Sequence, residues 1–342
     1  MSLRPERYSQ LMAAAAAYYQ HQLQRHEKAR TYLREDRGLD ERTVRRYGLG
    51  FAPAGVRPFQ RALRASDEEL IEAGLAKRYA DSDNLRLVFR ERVTFPIRLT
   101  PSRVVGFGAR VLPDAPPGAP KYLNSPNTEH FSKHDLLYGL DELPTHRPVR
   151  QVLLVEGYLD RISLSAAGLE GALAGLGTAL TVEQAARVAA CACEPDRPVY
   201  FLYDGDKAGQ KAMVDAAERL LEAGVRDTQL RMGSLPAGED PDSWVRACTQ
   251  EHAHAWLEEQ PTLAPWLLGQ IDGLPPARSL EARVRYGERV VRWAERLHRG
   301  PDRVAVLNRL AGYLEVAPDR LVEWYGANHR LAPGSAGAGP RP

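Results

Sequence analysis

Three short segments in the second half of the chain carry carboxylates at spacings that suit divalent-metal chemistry. They are Glu156 in LLVEGYLD, Asp204 and Asp206 in FLYDGDKAG, and Asp240 and Asp242 in GEDPDSW. Two Asp separated by one Gly can point into one cavity, because Gly permits a sharp turn. Crowded carboxylates repel one another, and one pKa rises unless a cation neutralises them. Hard oxygen donors without nearby His or Cys favour Mg²⁺ or Mn²⁺ over Zn²⁺. Two such ions bridged by carboxylates, roughly 3.5–4 Å apart, are the usual device for displacement at a phosphate. Taken singly, each segment is an ordinary turn or helix entry, since Asp-Gly is a common turn dipeptide. Their weight comes from falling at successive strand ends.

The strands are legible from residue 151 onward. Gln151–Val155 and Val199–Tyr203 are compact apolar runs, Gly171–Gly175 is a run of small residues, and Thr228–Met232 is a last short strand. Helices are expected between them over Tyr158–Ala167, from a Thr181/Gln184 capping box to about Cys191, and over Ala208–Ala223. Alternating strands and helices of this length predict an α/β fold with a parallel sheet. Sites in such sheets form beyond the carboxyl ends of the strands, where all three acidic segments fall.

The flanking parts differ in character. Residues 1–80 read as helical, with Asp40 as one N-cap and Ser66 with Glu69 as a capping box stopped at Gly74. VTFPIRL and RVVGFGARVL read as paired strands, Pro113–Pro120 as a loop, and KYLNSPNTEHFSKHDLLYGL as irregular and polar. After Trp244 the pattern is helical to about Tyr325, and the Gly/Ala/Pro tail is expected to be disordered. The expected division is 1–148, a basic amino-terminal α/β part; 149–243, the parallel-sheet domain; 244–328, a helical subdomain; and 329–342, the tail.

Charge separates along the chain. Residues 1–150 carry 25 Lys or Arg against 18 Asp or Glu, whereas residues 151–342 carry 21 against 26. Between Asn84 and Lys133, eight basic residues face only Glu91, Asp114 and Glu129. A basic face beside a separate acidic region suggests a polyanion bound near a metal site, although on charge alone a solvated basic face is the favoured reading. With 44% apolar and 26% charged residues and a net charge of +2, the chain is neither disordered nor fibrous. Three cysteines exclude a disulfide framework, no run of eighteen apolar residues suggests a membrane span, and MSLRPERYSQ lacks an apolar signal core. A cytoplasmic protein without membrane contact is expected. Neither GxGxxG nor GxxxxGK[ST] occurs.

The order VEGYLD, LGTALT, YDGDKAGQKA and LPAGEDPDSW resembles the TOPRIM domain of bacterial DnaG-type primases. The upstream FRERVTFPI, VVGFGAR, PKYLNSPNTEHFSK and LLYGL resemble the basic half of the same catalytic core, and the resemblance spans roughly residues 8–325. It implies a TOPRIM Rossmann-like parallel sheet, and synthesis of short RNA primers on single-stranded DNA by metal-dependent nucleotidyl transfer. By motif, Glu156 would be a metal ligand or general acid/base, Asp204 and Asp206 would bind Mg²⁺ or Mn²⁺, and Asp240 and Asp242 would extend the cluster. Asp160 would be a supporting acid. Arg90, Arg92, Arg110, Lys121, Asn124 and Lys133 would contact nucleotide or nucleic acid, with Tyr122 either stacking on a base or serving as a core aromatic, and Ser125 either touching nucleotide or shaping a turn. The implied partners are single-stranded DNA, ribonucleoside triphosphates and the RNA–DNA hybrid, handled by a monomer.

Two family features are missing from these 342 residues. No cysteine-rich zinc-ribbon ligand set precedes the core, so no zinc is expected, and no helicase-binding domain follows it. The chain therefore reads either as an excised core or as a stand-alone relative, with the replicative helicase a partner of the family only. Ala109 also stands in FGAR where the family usually has Gly. The alternative reading is a TOPRIM-type metal-dependent nuclease, in which water attacks in place of a 3′-hydroxyl. The basic-half motifs argue against it.

Overall fold

The protein is described here by a computed structural model covering residues 3–79, 82–143, 149–177, 179–194, 196–273, 280–297, 300–321 and 323. The expected tail 329–342 lies outside the described residues.

The first half is built on an antiparallel sheet. Its strands are β1 (Gly50–Ala52), a separate hairpin of β2 (Ala76–Tyr79) and β3 (Ser82–Leu87), then β4 (Arg92–Thr100), β5 (Arg103–Val111) and β6 (Tyr122–Asn124). The main sheet runs β1-β4-β5-β6, with every pairing antiparallel. The helix Pro5–Arg25 packs on β1 and β5 through Tyr8, Leu11, Met12, Ala15 and Tyr19, the apolar stripe expected of a surface helix. Buried Tyr8 donates its hydroxyl to the Val105 carbonyl at 2.7 Å. The helical reading of residues 1–80 holds for five α-helices and one π-helical turn among the described residues but passes over β1 and β2. β1 is three buried residues, too short to alternate, and β2 is polar. The Asp40 cap and the Ser66/Glu69 box form as expected.

The second half carries β7 (Val152–Val155), β8 (Ala172–Ala174), β9 (Val199–Phe201) and β10 (Leu230–Arg231), ordered β10-β9-β7-β8 and all parallel. Successive residues of these strands enter different cores. Leu153, Val155, Ala172, Ala174 and Tyr200 join the core shared with the first half, while Val152, Leu154, Leu173, Val199 and Phe201 join the core under the helices Val182–Cys191 and Lys207–Glu222. This is why the strands read as unbroken apolar runs. The expected last strand shortens to Leu230–Arg231, because Asp227–Gln229 forms a tight turn. There the buried Gln229 amide donates to the carbonyls of Ala192, Glu194 and Arg197. Since β7 sits between β8 and β9, the chain leaves β7 toward one edge of the sheet and β9 toward the other. The crevice between their carboxyl ends is the topological switch point.

The two halves are joined at Tyr158, in the first turn of the helix Tyr158–Ala166. Its ring lies parallel to Phe95 of β4 at 5.2 Å, and its hydroxyl donates to Asn124 Oδ1 at 2.5 Å. A Cβ on Gly108 would lie 2.3 Å from the Tyr158 ring, so only glycine fits there. A main-chain bridge between Tyr138 and Ala174 covers the β8 edge. Beyond β10, the helix Pro241–Ala247 packs back on Tyr158–Ala166, and the helices Leu263–Asp272, Leu280–Arg296 and Pro301–Leu314 close the far side.

Gly108→Ala should cost about 1–3 kcal/mol, the usual price of overpacking, seen as a lower urea midpoint with an unchanged slope. A midpoint equal to the parent's would show that the ring gives way freely.

Candidate active site

The carboxyl ends of β7 and β9 bring acids from both motifs together. Glu156 follows β7 directly and reaches the surface near the Asp204 main chain. Protein packed around it raises its pKa above the ordinary range, and the charges of Asp204 and then Asp206 raise it further. Asp204 is also raised, first by burial, then by Asp240 and Asp206, with Lys121 pulling the other way. Asp160, one helical turn after Glu156, is pushed up to about 7 by burial, followed by Asp240, Asp204 and Asp242. Asp206 and Asp240 each cap a helix: Asp206 Oδ1 accepts from Gly209 N–H at 2.8 Å, and Asp240 Oδ1 from Ser243 N–H at 2.7 Å. Gly205 is required for a reason other than the turn expected of it. Its φ is not positive, but a Cβ would lie 2.2 Å from the Pro236 carbonyl oxygen, so the β10–Asp240 loop can close over the Asp204–Asp206 turn only at glycine.

Among the described residues, no three His, Cys, Asp or Glu side chains form a ready-made metal-holding group. The donor chemistry nonetheless fits a hard divalent cation: all-oxygen ligands, partly desolvated and under-neutralised.

Asp242, expected to extend the metal cluster, is 1% exposed, and its oxygens are engaged by protein groups. Oδ1 accepts from Ser163 Oγ at 2.6 Å and faces Arg246 Nε at 3.1 Å, while Oδ2 accepts from Arg37 Nη1 at 2.7 Å. It cross-links the first helices, Tyr158–Ala166 and Pro241–Ala247. Arg37, 205 residues away, has no sequence signal for this role.

The six expected nucleic-acid residues divide into two sets. Arg90 is exposed and Lys133 half-buried, and both line an open groove of about 1030 Å³ on the basic half, together with Lys77 and Ser125. Lys121 is exposed and close enough to Asp204 to oppose its pKa shift. The other three are held by the protein, although Arg92 and Asn124 also line that groove. Arg92 is 5% exposed and donates to the Pro120 carbonyl at 2.8 Å. Arg110 donates to Tyr122 Oη at 2.7 Å and lies over the Tyr32 and Tyr122 rings. Asn124 donates to the Leu176 carbonyl and accepts from Tyr158, so both ends of its amide are spent. Arg92 and Arg110 thus shape the loop and strand that carry Lys121, and Asn124 joins the two halves. Tyr122 is half-buried and packs against the edge of the first core.

The fold and sequence of this chain are similar to those of known proteins. Residues 18–144 match the description "DNA primase catalytic core, N-terminal domain", and residues 153–245 match "Toprim-like". The DNA primase of Haemophilus influenzae is 35% identical over 314 residues, which are 90% of this chain and 51% of that protein. A DNA primase domain from Pseudomonas aeruginosa of known crystal structure is 33% identical, with a TM-score of 0.75 over 92% of this chain and 98% of that one. The DnaG primase catalytic domain bound to single-stranded DNA gives a TM-score of 0.73 at 32% identity, over 92% and 98%. The chain belongs to the DnaG-type DNA primase catalytic-core family. It spans about half the length of the curated relatives it matches.

A raised carboxyl pKa binds protons more tightly in the folded state, so stability falls as pH rises from the ordinary carboxylate range to about 7. In metal-free protein, Asp160→Asn should therefore raise the melting temperature at pH 8, by roughly 1–3 °C, with the gain shrinking toward pH 5. A gain independent of pH would refute the assignment. Asp242→Ala should cost about 3–5 kcal/mol, because Arg37 loses its buried partner. Chemical unfolding reads that loss, and a change within experimental error would show that the network is dispensable.

Proposed function

We propose that this chain is a primase catalytic core that joins ribonucleotides into short RNA primers on single-stranded DNA during replication. One observation carries the reading: in a chain of this family, Lys121, delivered by the basic half, is close enough to Asp204 after β9 to act on its charge, and Asp204 in turn acts on Glu156 after β7. The relatives are DNA primases; one solved relative is bound to single-stranded DNA, and one from Mycobacterium tuberculosis to a duplex with a six-nucleotide overhang.

Mg²⁺ or Mn²⁺ would be held by Glu156, Asp204 and Asp206, with Asp240 beside them; once bound, it would activate the attacking 3′-hydroxyl and neutralise charge on the departing pyrophosphate. Lys121 offers a compact positive charge to the triphosphate, as suits a single phosphate contact. Arg90 and Lys133 neutralise template phosphates along the groove, a contribution that weakens with salt. Arg92, Arg110 and Asn124 act by positioning. The proposed ligands are template DNA, ribonucleoside triphosphates and the RNA–DNA hybrid. No described helix is long and apolar enough to cross a membrane, and we place the activity in the cytoplasm, in a monomer.

The test is RNA synthesis on single-stranded DNA with ribonucleotides and either metal. Glu156→Gln should lower the rate by about 10²-fold or more, on the scale of losing one electrostatic group at a reacting centre, with the melting curve intact. Undiminished synthesis, or shortening of the DNA by the parent, would overturn the reading. Lys121→Ala should weaken nucleotide or template binding and reduce the salt slope by about one. Equal slopes would remove Lys121 from the site.

A further inference from the structure

A second cavity, of about 480 Å³, lies on the far side of the Asp206 turn, between the helix Lys207–Glu222 and the carboxy-terminal helices. Three observations give it a chemistry. Its apolar wall is aromatic: Trp266 and Trp293 stack at 5.8 Å with planes 30° apart, and Tyr286 completes the wall. The Trp293 indole N–H donates to Glu218, which fixes the orientation of that ring. Its cations are Lys207 and Lys211, one turn apart, with Gln210 and Gln270 as further polar groups, and no carboxylate lines it among the described residues. That is notable in a half of the chain where acids outnumber bases. Finally, it adjoins the carboxylates. Lys207 directly follows Asp206, and Ser234, also in its wall, precedes the Leu235–Pro236 carbonyls that close on Gly205. The lining positions on the helix fall within its first two turns, about 10 Å of axis.

We propose that this cavity is a nucleotide subsite, in which a base packs on the Trp266 face and a phosphate is held by Lys207 and Lys211. Aromatic faces beside cations take any base without reading its sequence. The proposal deepens the primase reading, since a strand or nucleotide leaving the carboxylates toward this helix meets the cavity next. Lys211 is mostly exposed and paired with Asp215, an exposed contact of the kind that a phosphate readily replaces.

The experiment measures binding of the whole chain to oligothymidylates of increasing length, and separately to free GTP, by tryptophan fluorescence and anisotropy. Trp266→Ala should weaken binding roughly tenfold, as expected for one stacked base, and Trp266→Phe should restore it. Lys211→Glu, at an exposed position that leaves the fold intact, should lower affinity and reduce the salt dependence. Loss confined to longer oligomers identifies the ligand as a nucleotide of a strand, and loss also seen with GTP identifies a free nucleotide. Unchanged affinity for both probes in Trp266→Ala and Lys211→Glu would overturn the subsite while leaving primer synthesis untouched. Conversely, Trp266-dependent binding that persists in a parent inactive in primer synthesis would overturn the primase reading and leave the subsite standing.

Discussion

The seating of Tyr158 fixes the site. The ring lies flat on Phe95 of the antiparallel sheet, fills the space a side chain at Gly108 would need, and hydrogen-bonds Asn124 of β6. Glu156 stands two residues before it, and Lys121 lies just before β6. One buried aromatic therefore sets the distance between the acid at the end of β7 and the basic strand that faces it. If the ring shifts, the two halves can each remain folded while acid and base lose register. The Asn124–Leu176 bond and the Tyr138–Ala174 bridge resist that shift from two other directions.

Around that joint the protein divides its charges by burial. Asp242, Arg92 and Arg161 are buried and Arg37 half-buried, and all four are paired with or bonded to protein groups. Glu156, Asp204 and Asp160 are left without protein cations sufficient to neutralise them, and their pKa values rise as a result. A cluster under that repulsion has lower free energy with a divalent cation than without one. The same logic separates Lys121, Arg90 and Lys133, which face solvent or the groove, from Arg110, whose guanidinium is held between tyrosines. The two sets have similar residue types and opposite uses.

Much of this was legible beforehand. Capping boxes at Ser66 and Thr181, the cap at Asp40, and the apolar runs of β7 and β9 are local signals, carried by residues within four positions of one another. The carboxylate motifs were legible for a related reason: a strand, a turn and a helix start are contiguous in sequence, so the acids at a strand end declare themselves. β1 and β6 were not legible, because they are three residues long, lie in no longer apolar run of the kind that marked β9, and exist only by pairing with β4 and β5.

What the sequence determined by itself is the order of elements, the position of the acids at strand ends, and the charge difference between the halves, all of which follow from short-range backbone and side-chain preferences. Only the tertiary structure decided which charged groups remain available. Asp240 and Asp242 are two residues apart, yet helix geometry turns one toward Asp204 and buries the other against Arg37, 205 positions away. Burial and ion pairing are properties of the packed chain, and no spacing in the sequence encodes them.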